Sequence, residues 1–319
     1  MSDARGGQQT PKPENKPPPR KQTSMTQVGF IGLGAMGTPM AWNLEESDPE
    51  LSVHNRTASK MDPFADAGVT TFDSPHALAS ESDVVVTMVT GPEALQQVVL
   101  GDEGAIRGIG QADTVINTST VSRPVTTDVA ERVRDTGGRF VDAPVLGTVG
   151  PAEAGELLVL AGAEESVLED VRPVLEAFGD VRHVGDIGEG TGMKLTANLL
   201  LGVMMEGFSE ALAFADGQDL PLEEVLEVIK NGVLGAPLFD YKGPVVRERD
   251  FDPQFPVDLL FKDLNLVLEA GGDEAVPLPA TAATREAANA TRALGHGEED
   301  MMALLKHLES VTGRTRGED

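Results

Sequence analysis

The chain has 319 residues, of which 40% are hydrophobic and none is cysteine, and its formal net charge is −27. This length suits one large domain or two ordinary ones, and the lack of cysteine excludes disulfide scaffolds, thiolate metal sites and cysteine nucleophiles. A surface this negative repels nucleic acids and anionic lipids, so we expect neither as a partner.

The sequence also lacks a membrane or export signal. It contains no uncharged run of about 18 apolar residues and no apolar N-terminal stretch, which predicts a cytoplasmic protein with no membrane partner. Acidic residues number 52 against nine lysines and sixteen arginines. This balance is typical of halophilic proteins, in which salt screens self-repulsion, although an ordinary acidic cytosolic protein is the alternative.

The two ends of the chain have the composition of tails. Residues 1–24 carry five prolines and five basic but only two acidic residues, with almost no large apolar side chain. Such a segment cannot bury enough surface to fold, so we expect a disordered tail, or an extension upstream of a true start at Met25. Residues 312–319 are predicted to form a second flexible tail.

Between residues 25 and 187, short β-branched runs alternate with helical segments. The predicted strands are Gln27–Leu33, Leu51–Asn55, Val69–Phe72, Asp83–Thr90, Asp113–Thr118, Arg139–Val145, Glu156–Ala161 and Val181–Val184. The predicted helices are Thr38–Glu46, Glu93–Leu100, Ser122–Thr136 (with Ser122 as N-cap) and Glu165–Phe178. This βαβ series predicts an α/β domain with a doubly wound, mainly parallel sheet.

Residues 188–311 show only helical patterns. The predicted helices are Met193–Gly217, Leu222–Asn231, Leu259–Ala270, Ala280–Ala293 and Asp300–Leu308. The first of them is apolar on most faces, so it should lie at the centre of an all-α domain. Because one small domain covers such a helix poorly, we expect this domain to form a homodimer or homotetramer interface as well as to bind substrate.

A glycine motif follows the first strand. Gly32, Gly34 and Gly37 form G-x-G-x-x-G between a predicted strand and a predicted helix. The first glycine makes the turn, the second admits a pyrophosphate and the third lets the helix approach the strand, while free N–H groups bind the anion. The predicted cofactor-binding residues here are Gly32, Leu33, Gly34, Ala35, Met36 and Gly37.

The end of the second strand indicates which dinucleotide binds. NAD sites usually place an acid about 20 residues beyond the glycines, but this chain has Asn55, Arg56 and Thr57 there. An arginine pairs well with a 2′-phosphate, so the sequence favours NADP(H) over NAD(H). The alternative is a solvated Arg56 in a protein that uses NAD(H).

Four motifs resemble those of a known family. In order they read GFIGLGAMGTPMAWNL, DAPVLGTVGPAEAGEL, GEGTGMKLTANLLLG and FKDLNLVLEAG. Together they resemble the 3-hydroxyisobutyrate dehydrogenase family of β-hydroxyacid dehydrogenases, which includes reductases of glyoxylate, succinic semialdehyde and tartronate semialdehyde. The resemblance implies a Rossmann NAD(P)-binding domain, a long interdomain helix and an all-helical domain. It also implies oxidoreduction between a hydroxyl and a carbonyl on a small carboxylic acid.

The resemblance also implies roles for individual residues. Lys194 matches the family's catalytic lysine, and Asn198 matches an asparagine that contacts substrate. Thr120 matches a threonine near the nicotinamide, and Lys262 matches a lysine beside the cofactor and the active site.

One motif departs from the family at the substrate carboxylate. The family reads D-A-P-V-S-G-G, in which the serine and the following glycine hold the carboxylate. Here Leu146 replaces the serine, Gly147 is kept and Thr148 follows, so Gly147 and Thr148 are the predicted substrate residues. The pocket loses a hydroxyl unless Thr148 supplies it, and this leaves the identity of the substrate open.

The residues themselves suggest the chemistry. Lys194 and Asn198 are spaced i, i+4 and therefore share one helix face. Burial lowers the pKa of a lysine, so Lys194 can exchange a proton near neutral pH while the nicotinamide exchanges hydride with a carbonyl carbon. No metal site is expected, because the five histidines are scattered. The alternatives are a 3-hydroxyisobutyrate-type dehydrogenase working in the oxidative direction, an imine reductase and a non-catalytic nucleotide-binding protein.

Overall fold

A computed structural model describes residues 26–47 and 50–315. The predicted N-terminal tail at 1–24 lies outside the described residues, as do residues 316–319 of the predicted C-terminal tail. The last helix ends at Thr312, so it extends one residue into that second tail.

The first half of the described chain builds one sheet. Its strands are β1 (Gln27–Ile31), β2 (Glu50–His54), β3 (Thr70–Thr71), β4 (Val84–Thr87), β5 (Thr114–Asn117), β6 (Arg139–Asp142), β7 (Val145–Leu146), β8 (Leu157–Gly162) and β9 (Gly179–Gly185). The strand order is β3-β2-β1-β4-β5-β6-β8-β7, with β9 paired to β8. The pairs from β3 to β6 are all parallel, which confirms the predicted doubly wound Rossmann sheet.

The sheet departs from the prediction after β6. The segment predicted as one strand, Arg139–Val145, breaks after Asp142, and the short β7 follows. Pro144 has no N–H to donate to a ladder, and its carbonyl oxygen accepts from Leu160 N–H at 2.9 Å. As a result β8 runs antiparallel to both β6 and β7, and only β9 returns to the parallel direction.

Seven helices accompany the sheet and six follow it among the described residues. Those with the sheet are α1 (Gly37–Glu45), α2 (Asp62–Asp66), α3 (Pro75–Ser80), α4 (Pro92–Leu100), α5 (Arg123–Asp135), α6 (Val149–Glu153) and α7 (Glu165–Glu176). Those after it are α8 (Glu189–Gly217), α9 (Leu222–Asn231), α10 (Pro237–Glu248), α11 (Val257–Asp273), α12 (Pro279–Ala293) and α13 (Leu304–Thr312). Short 3₁₀ turns occupy Ala58–Lys60, Ala105–Arg107 and Met301–Ala303.

Several helices differ from the prediction. The short helices α2, α3 and α6 were not predicted, and neither was α10, which contains the helix breaker Pro244. Ser122 stands at the N-cap of α5, but its side chain makes no capping hydrogen bond. The segment predicted as the helix Asp300–Leu308 is a 3₁₀ turn followed by α13.

Hydrophobic cores cover both faces of the sheet, and a third core lies among the later helices. In β4, Val84 and Val86 belong to one core and Val85 to the other, because successive strand side chains point to opposite faces. The long helix α8 packs on β8 and β9 near its start and on α11, α12 and α13. This confirms its predicted central position.

The helix α8 also has the length and apolar composition of a membrane span, alone among the helices the structure describes. The core helix of a soluble protein passes the same test, so this finding is weak evidence for a membrane. The cytoplasmic location and the absence of a membrane partner stay predictions.

Candidate active site

The carboxyl ends of the central strands bring three loops together. The glycine turn follows β1, residues 88–91 follow β4, and residues 118–120 follow β5; these three strands are neighbours in the sheet. The two later loops are joined because the N–H of Val89 donates to Ser119 Oγ at 2.9 Å. Ligands of doubly wound sheets bind at this edge.

The glycine turn has the backbone shape that a dinucleotide needs. Gly32 has φ +106°, and a Cβ there would overlap the carbonyl oxygen of Met88. A Cβ at Gly37 would overlap the carbonyl oxygen of Gly32, so α1 packs closely only with glycine there. A Cβ at Gly34 would meet nothing within 4 Å, which leaves that side of the turn open to a ligand.

The start of α1 offers hydrogen-bond donors to that open side. Within the described structure, the backbone N–H groups of Ala35, Met36 and Gly37 have no acceptor. Free N–H groups and the helix dipole at this end favour an anion. The turn therefore fits the pyrophosphate of NAD(P), and residues 32–37 are those that would hold it.

Asn55 connects the glycine turn to the segment after β2. Its Oδ1 accepts from Leu33 N–H at 2.9 Å, and its Nδ2 donates to the carbonyl oxygen of Thr57 at 3.0 Å. The side chain therefore positions both parts of the predicted cofactor site. Its predicted contact with the cofactor itself stays a prediction.

Arg56 is exposed beside this connection and makes no ion pair with any residue of 26–47 or 50–315. The same holds for Lys60, one turn further along the chain. In a chain with 52 acids and 25 bases, exposed cations that make no ion pair among the described residues are suited to binding a phosphate.

Lys262 reaches from α11 to the carboxyl edge of the sheet. Its Nζ donates to the carbonyl oxygen of Thr120 at 3.1 Å and lies 2.8 Å from Oδ1 of Asp263. Its side chain also passes Gly91, where an added Cβ would lie 3.5 Å from Lys262 Cδ. The structure thus brings together Lys262 and Thr120, which are 142 positions apart in the sequence.

Lys194 and Asn198 lie on one face of α8, near its start. Asn198 is buried, and its Nδ2 donates to Oδ2 of Asp263 at 2.6 Å. Burial lowers the pKa of Lys194 from 10.5 to about 8; the charge of Asp263 opposes this shift and the charge of Lys262 adds to it. Lys194 has no hydrogen-bond partner among the described residues, so its amine is available to a ligand.

The predicted substrate residues, Gly147 and Thr148, directly follow β7. Gly147 has φ +140°, and Thr148 stands at the N-cap of α6 without a capping bond from its side chain. A Cβ at Gly147 would overlap Leu157, so this glycine is needed for the turn. No hydrogen bond within the described chain joins Gly147 or Thr148 to Lys194 or Asn198, and their substrate role stays a prediction.

Two acids that the sequence analysis left out of the site have different roles in the structure. Asp142 accepts from the N–H groups of Gly188 and Thr191, so it anchors the start of α8. That anchor explains why α8 begins four residues before the predicted Met193. Asp263 contacts both Asn198 and Lys262, and its place directly after Lys262 in the KDL motif was the available signal.

Burial of the Asp142 carboxylate is electrostatically unfavourable. Burial raises its pKa from 3.8 to about 6, although the hydrogen bonds from Thr191 and Gly188 and the charge of Arg123 oppose the shift. The fold keeps this carboxylate buried because it holds the start of α8 in place. No group of three or more potential metal ligands occurs among the described residues.

Two family models together cover nearly all of the described chain. The model for the NAD-binding domain of 6-phosphogluconate dehydrogenase matches residues 27–188. The model for the NAD-binding region of NADP-dependent 3-hydroxyisobutyrate dehydrogenase matches residues 188–308.

Full-length relatives agree with these models. The chain is 34% identical to glyoxylate/succinic semialdehyde reductase 1 of Arabidopsis thaliana, over 88% of this chain and 97% of the plant protein. It is 35% identical to 2-(hydroxymethyl)glutarate dehydrogenase of Eubacterium barkeri, over 90% of this chain and 96% of that enzyme.

A solved structure shows the same architecture. The 3-hydroxyisobutyrate dehydrogenase of Mycobacterium tuberculosis, solved with L-serine, superimposes with a TM-score of 0.81 at 28% identity, over 89% of this chain and 99% of that one. Shared sequence, shared domain order and a glycine turn shaped for a dinucleotide lead to one conclusion. The chain belongs to the 3-hydroxyisobutyrate dehydrogenase family and is an NAD(P)-dependent β-hydroxyacid dehydrogenase or reductase.

Proposed function

We propose that this protein is an NADP-preferring reductase that converts a small aldehyde or keto acid into the corresponding hydroxy acid, with Lys194 as the proton donor. The observation that carries the proposal is the amine of Lys194. Burial lowers the pKa of this amine from 10.5 to about 8, the amine has no hydrogen-bond partner among residues 26–47 and 50–315, and it lies beside the contacts that link Asn198 to Lys262.

The substrate class is inferred from the relatives. The plant relative is named for glyoxylate and succinic semialdehyde, and an Escherichia coli relative at 31% identity is named 2-hydroxy-3-oxopropionate reductase. Each name describes an aldehyde that also carries a carboxylate. For this chain we propose that Gly147 and the hydroxyl of Thr148 hold the carboxylate, with Leu146 adding apolar surface.

In the proposed reaction, bound NADPH supplies the hydride to the carbonyl carbon. The ammonium of Lys194 donates one proton to the carbonyl oxygen, so that C=O becomes CH–OH and the lysine becomes neutral. Asn198 Nδ2 carries two hydrogens, of which Asp263 accepts one, and the other stabilises the developing charge on the same oxygen. Oxidation of a hydroxy acid, as in a 3-hydroxyisobutyrate-type dehydrogenase, uses the same groups with Lys194 neutral at the start.

We expect NADPH-dependent reduction of at least one of glyoxylate, succinic semialdehyde, tartronate semialdehyde and methylmalonate semialdehyde. The rate should fall as the pH rises through about 8, because reduction needs protonated Lys194. The reverse oxidation should rise over the same range, because it needs the neutral amine. Absorbance of the reduced nicotinamide, followed from pH 6 to pH 10, measures both.

Each assay is repeated at low and at high salt, which also tests whether the acidic composition is halophilic. Turnover with none of the four substrates at either salt concentration would overturn the proposed substrate class. Turnover with no pH dependence between about pH 7 and pH 9 would instead remove Lys194 from the role of proton donor.

The proposed preference for NADP(H) rests on Arg56. Its guanidinium is exposed after β2, beside Asn55, whose side chain joins this segment to the glycine turn. In doubly wound sheets this is where the adenosine ribose lies, and an arginine there accommodates the 2′-phosphate. Lys60, four residues further along the chain, is a second exposed cation.

Replacing Arg56 by Ser should lower kcat/KM for NADPH by about 10- to 100-fold, because a charge-assisted hydrogen bond contributes about 1.5–3 kcal/mol. The value for NADH should change little, since NADH has no 2′-phosphate. Arg107→Ser is the matched control. Arg107 is also exposed, and its guanidinium lies 3.7 Å from the carboxylate of Asp102. Equal losses with both cofactors would contradict the assignment of Arg56.

We also propose a homodimer or homotetramer. Apolar side chains remain exposed on the later helices of this one chain, including Phe214 of α8, Val228 of α9 and Tyr241 of α10, each about 70% exposed. Exposed apolar side chains concentrated on one part of a surface are typical of protein interfaces.

A further inference from the structure

The side chain of Asp263 contacts both Asn198 and Lys262, two residues of the proposed site. It is buried in α11, with Oδ2 accepting from Asn198 Nδ2 at 2.6 Å and Oδ1 2.8 Å from Lys262 Nζ. We infer that Asp263 is a positioning residue, which orients the amide of Asn198 and pairs with Lys262, so that its carboxylate balances the positive charge of the site. The inference rests on the proposed function, in which Lys194 donates a proton.

The contact with Asp263 fixes the orientation of the Asn198 amide. A carboxylate offers only acceptors, so the atom of Asn198 that faces it must be the donor Nδ2. The reversed amide would place two acceptor oxygens 2.6 Å apart, which is unfavourable in a buried site. Asp263 thereby decides which atoms Asn198 presents to a ligand: Oδ1 and the second hydrogen of Nδ2.

The two lysines near Asp263 differ in their partners. Lys262 is a cation that lowers the pKa of Lys194, and Asp263 is the anion that raises it. Asp263 pairs with Lys262, which also donates to the carbonyl oxygen of Thr120, whereas Lys194 keeps no such partner among the described residues. Lys262 is therefore held by partners within the fold, and the amine of Lys194 remains free to exchange protons.

Other charges near this part of α8 act elsewhere. Arg123 on α5 and Asp142 on β6 lie at the first turn of the helix, where Asp142 is bonded to Gly188 and Thr191. The charges that act on the pKa of Lys194 are Asp263 and Lys262, both on α11. Asp263 is thus the carboxylate whose charge acts on the pKa of Lys194.

A purely structural role would look different in solution. The bond from Asn198 to Asp263 also ties α8 to α11, so losing it could simply loosen the packing of two helices. Loosened packing lowers stability and activity together, but it does not move the titration of Lys194 to lower pH. The titration of Lys194 therefore separates the two roles.

The test is Asp263→Asn, measured in two ways. The first is the pH dependence of amine labelling at Lys194, read by mass spectrometry on the full chain without cofactor. The second is the pH at which NADPH-dependent reduction falls. Asparagine keeps the size of the side chain and an acceptor for Asn198 but removes the charge, so both midpoints should move down by about one pH unit.

A second variant separates charge from orientation. Asp263→Ala removes the charge and also the acceptor that orients Asn198. It should show the same shift in the labelling midpoint and, in addition, a rise of about tenfold or more in KM for the substrate. Restoring the carboxylate one methylene further out, with Asp263→Glu, should return the midpoint towards that of the wild type.

Glu206→Gln is the matched control. Glu206 is a partly buried acid of α8, and burial and the charge of Glu210 raise its pKa to about 7. It lies about 18 Å further along the helix, at 1.5 Å per residue. Its replacement should leave the labelling midpoint of Lys194 unchanged.

An unchanged midpoint in Asp263→Asn, or an equal shift in Glu206→Gln, would overturn the inference. Absence of turnover in the wild type, with labelling midpoints that still shift as expected, would instead overturn the proposed function. Thermal melting of each variant shows whether it is folded, and the labelling result applies to any variant that is.

Discussion

Replacing Lys194 by Met should lower kcat for NADPH-dependent reduction by about 10²- to 10⁴-fold, the usual contribution of a positioned proton donor. Methionine has a similar length and no charge, so it fits the position without a buried ammonium. Burial already opposes the charged form of this lysine, so the fold should not be weakened. The affinity for NADPH, followed by nicotinamide fluorescence, should change little because the glycine turn is untouched.

Two further variants make this result specific. Lys194→Arg keeps a cation but cannot release a proton near neutral pH, so it should lose turnover as Met does. Lys230→Met removes an exposed lysine from an ion pair with Asp240 and should leave kcat unchanged. Wild-type turnover in Lys194→Met, with unchanged pH dependence, would show that another group donates the proton.

Replacing Lys242 by Met should destabilise the helical part of the protein by about 3–5 kcal/mol. Lys242 on α10 is 2% exposed, and its Nζ donates to both carboxylate oxygens of Asp300, which is fully buried. The carboxylate of Asp300 also accepts from backbone N–H groups, including that of Met302, so it cannot turn towards water. Removing the lysine leaves this buried charge without its counter-ion, and the melting temperature should fall by about 10 °C.

Lys230→Met is again the control, because it makes the same substitution in an exposed pair. The side chains of Lys230 and Asp240 are about half exposed and 3.3 Å apart, and such pairs contribute about 0–1 kcal/mol. Melting curves of both variants at one fixed salt concentration give the comparison. If Lys242→Met melts no lower than Lys230→Met, the buried pair does not stabilise the fold as its geometry indicates.

Local patterns were enough to predict much of this molecule. The run from Asp83 to Thr90 predicts a buried strand, and β4 occupies Val84–Thr87. The three glycines predict the turn after β1: Gly32 has a positive φ, a Cβ at Gly37 would overlap the chain, and Gly34 leaves one side of the turn open.

Errors arose where distant parts of the chain decide the local structure. The antiparallel β8 follows the break at Pro144, and α10, which contains Pro244, is tied to the rest of the fold by its buried Lys242, which pairs with Asp300, 58 positions away. Asp263 was left out of the predicted site for the same reason. Its partner Asn198 lies 65 positions away, and no pattern along the sequence shows that the two side chains meet.

The sequence by itself determined the Rossmann sheet, the helical second half, the dinucleotide turn and the membership of a family, because each depends on residues close together in the chain. Only the tertiary structure decided that Asp263 and Lys262 are the charges that act on the pKa of Lys194, that Lys262 is bound to Thr120, and that Asp263 joins Lys262 to Asn198. Burial and charge–charge distance set the chemistry of a side chain, and both are properties of packed helices and loops rather than of any one segment.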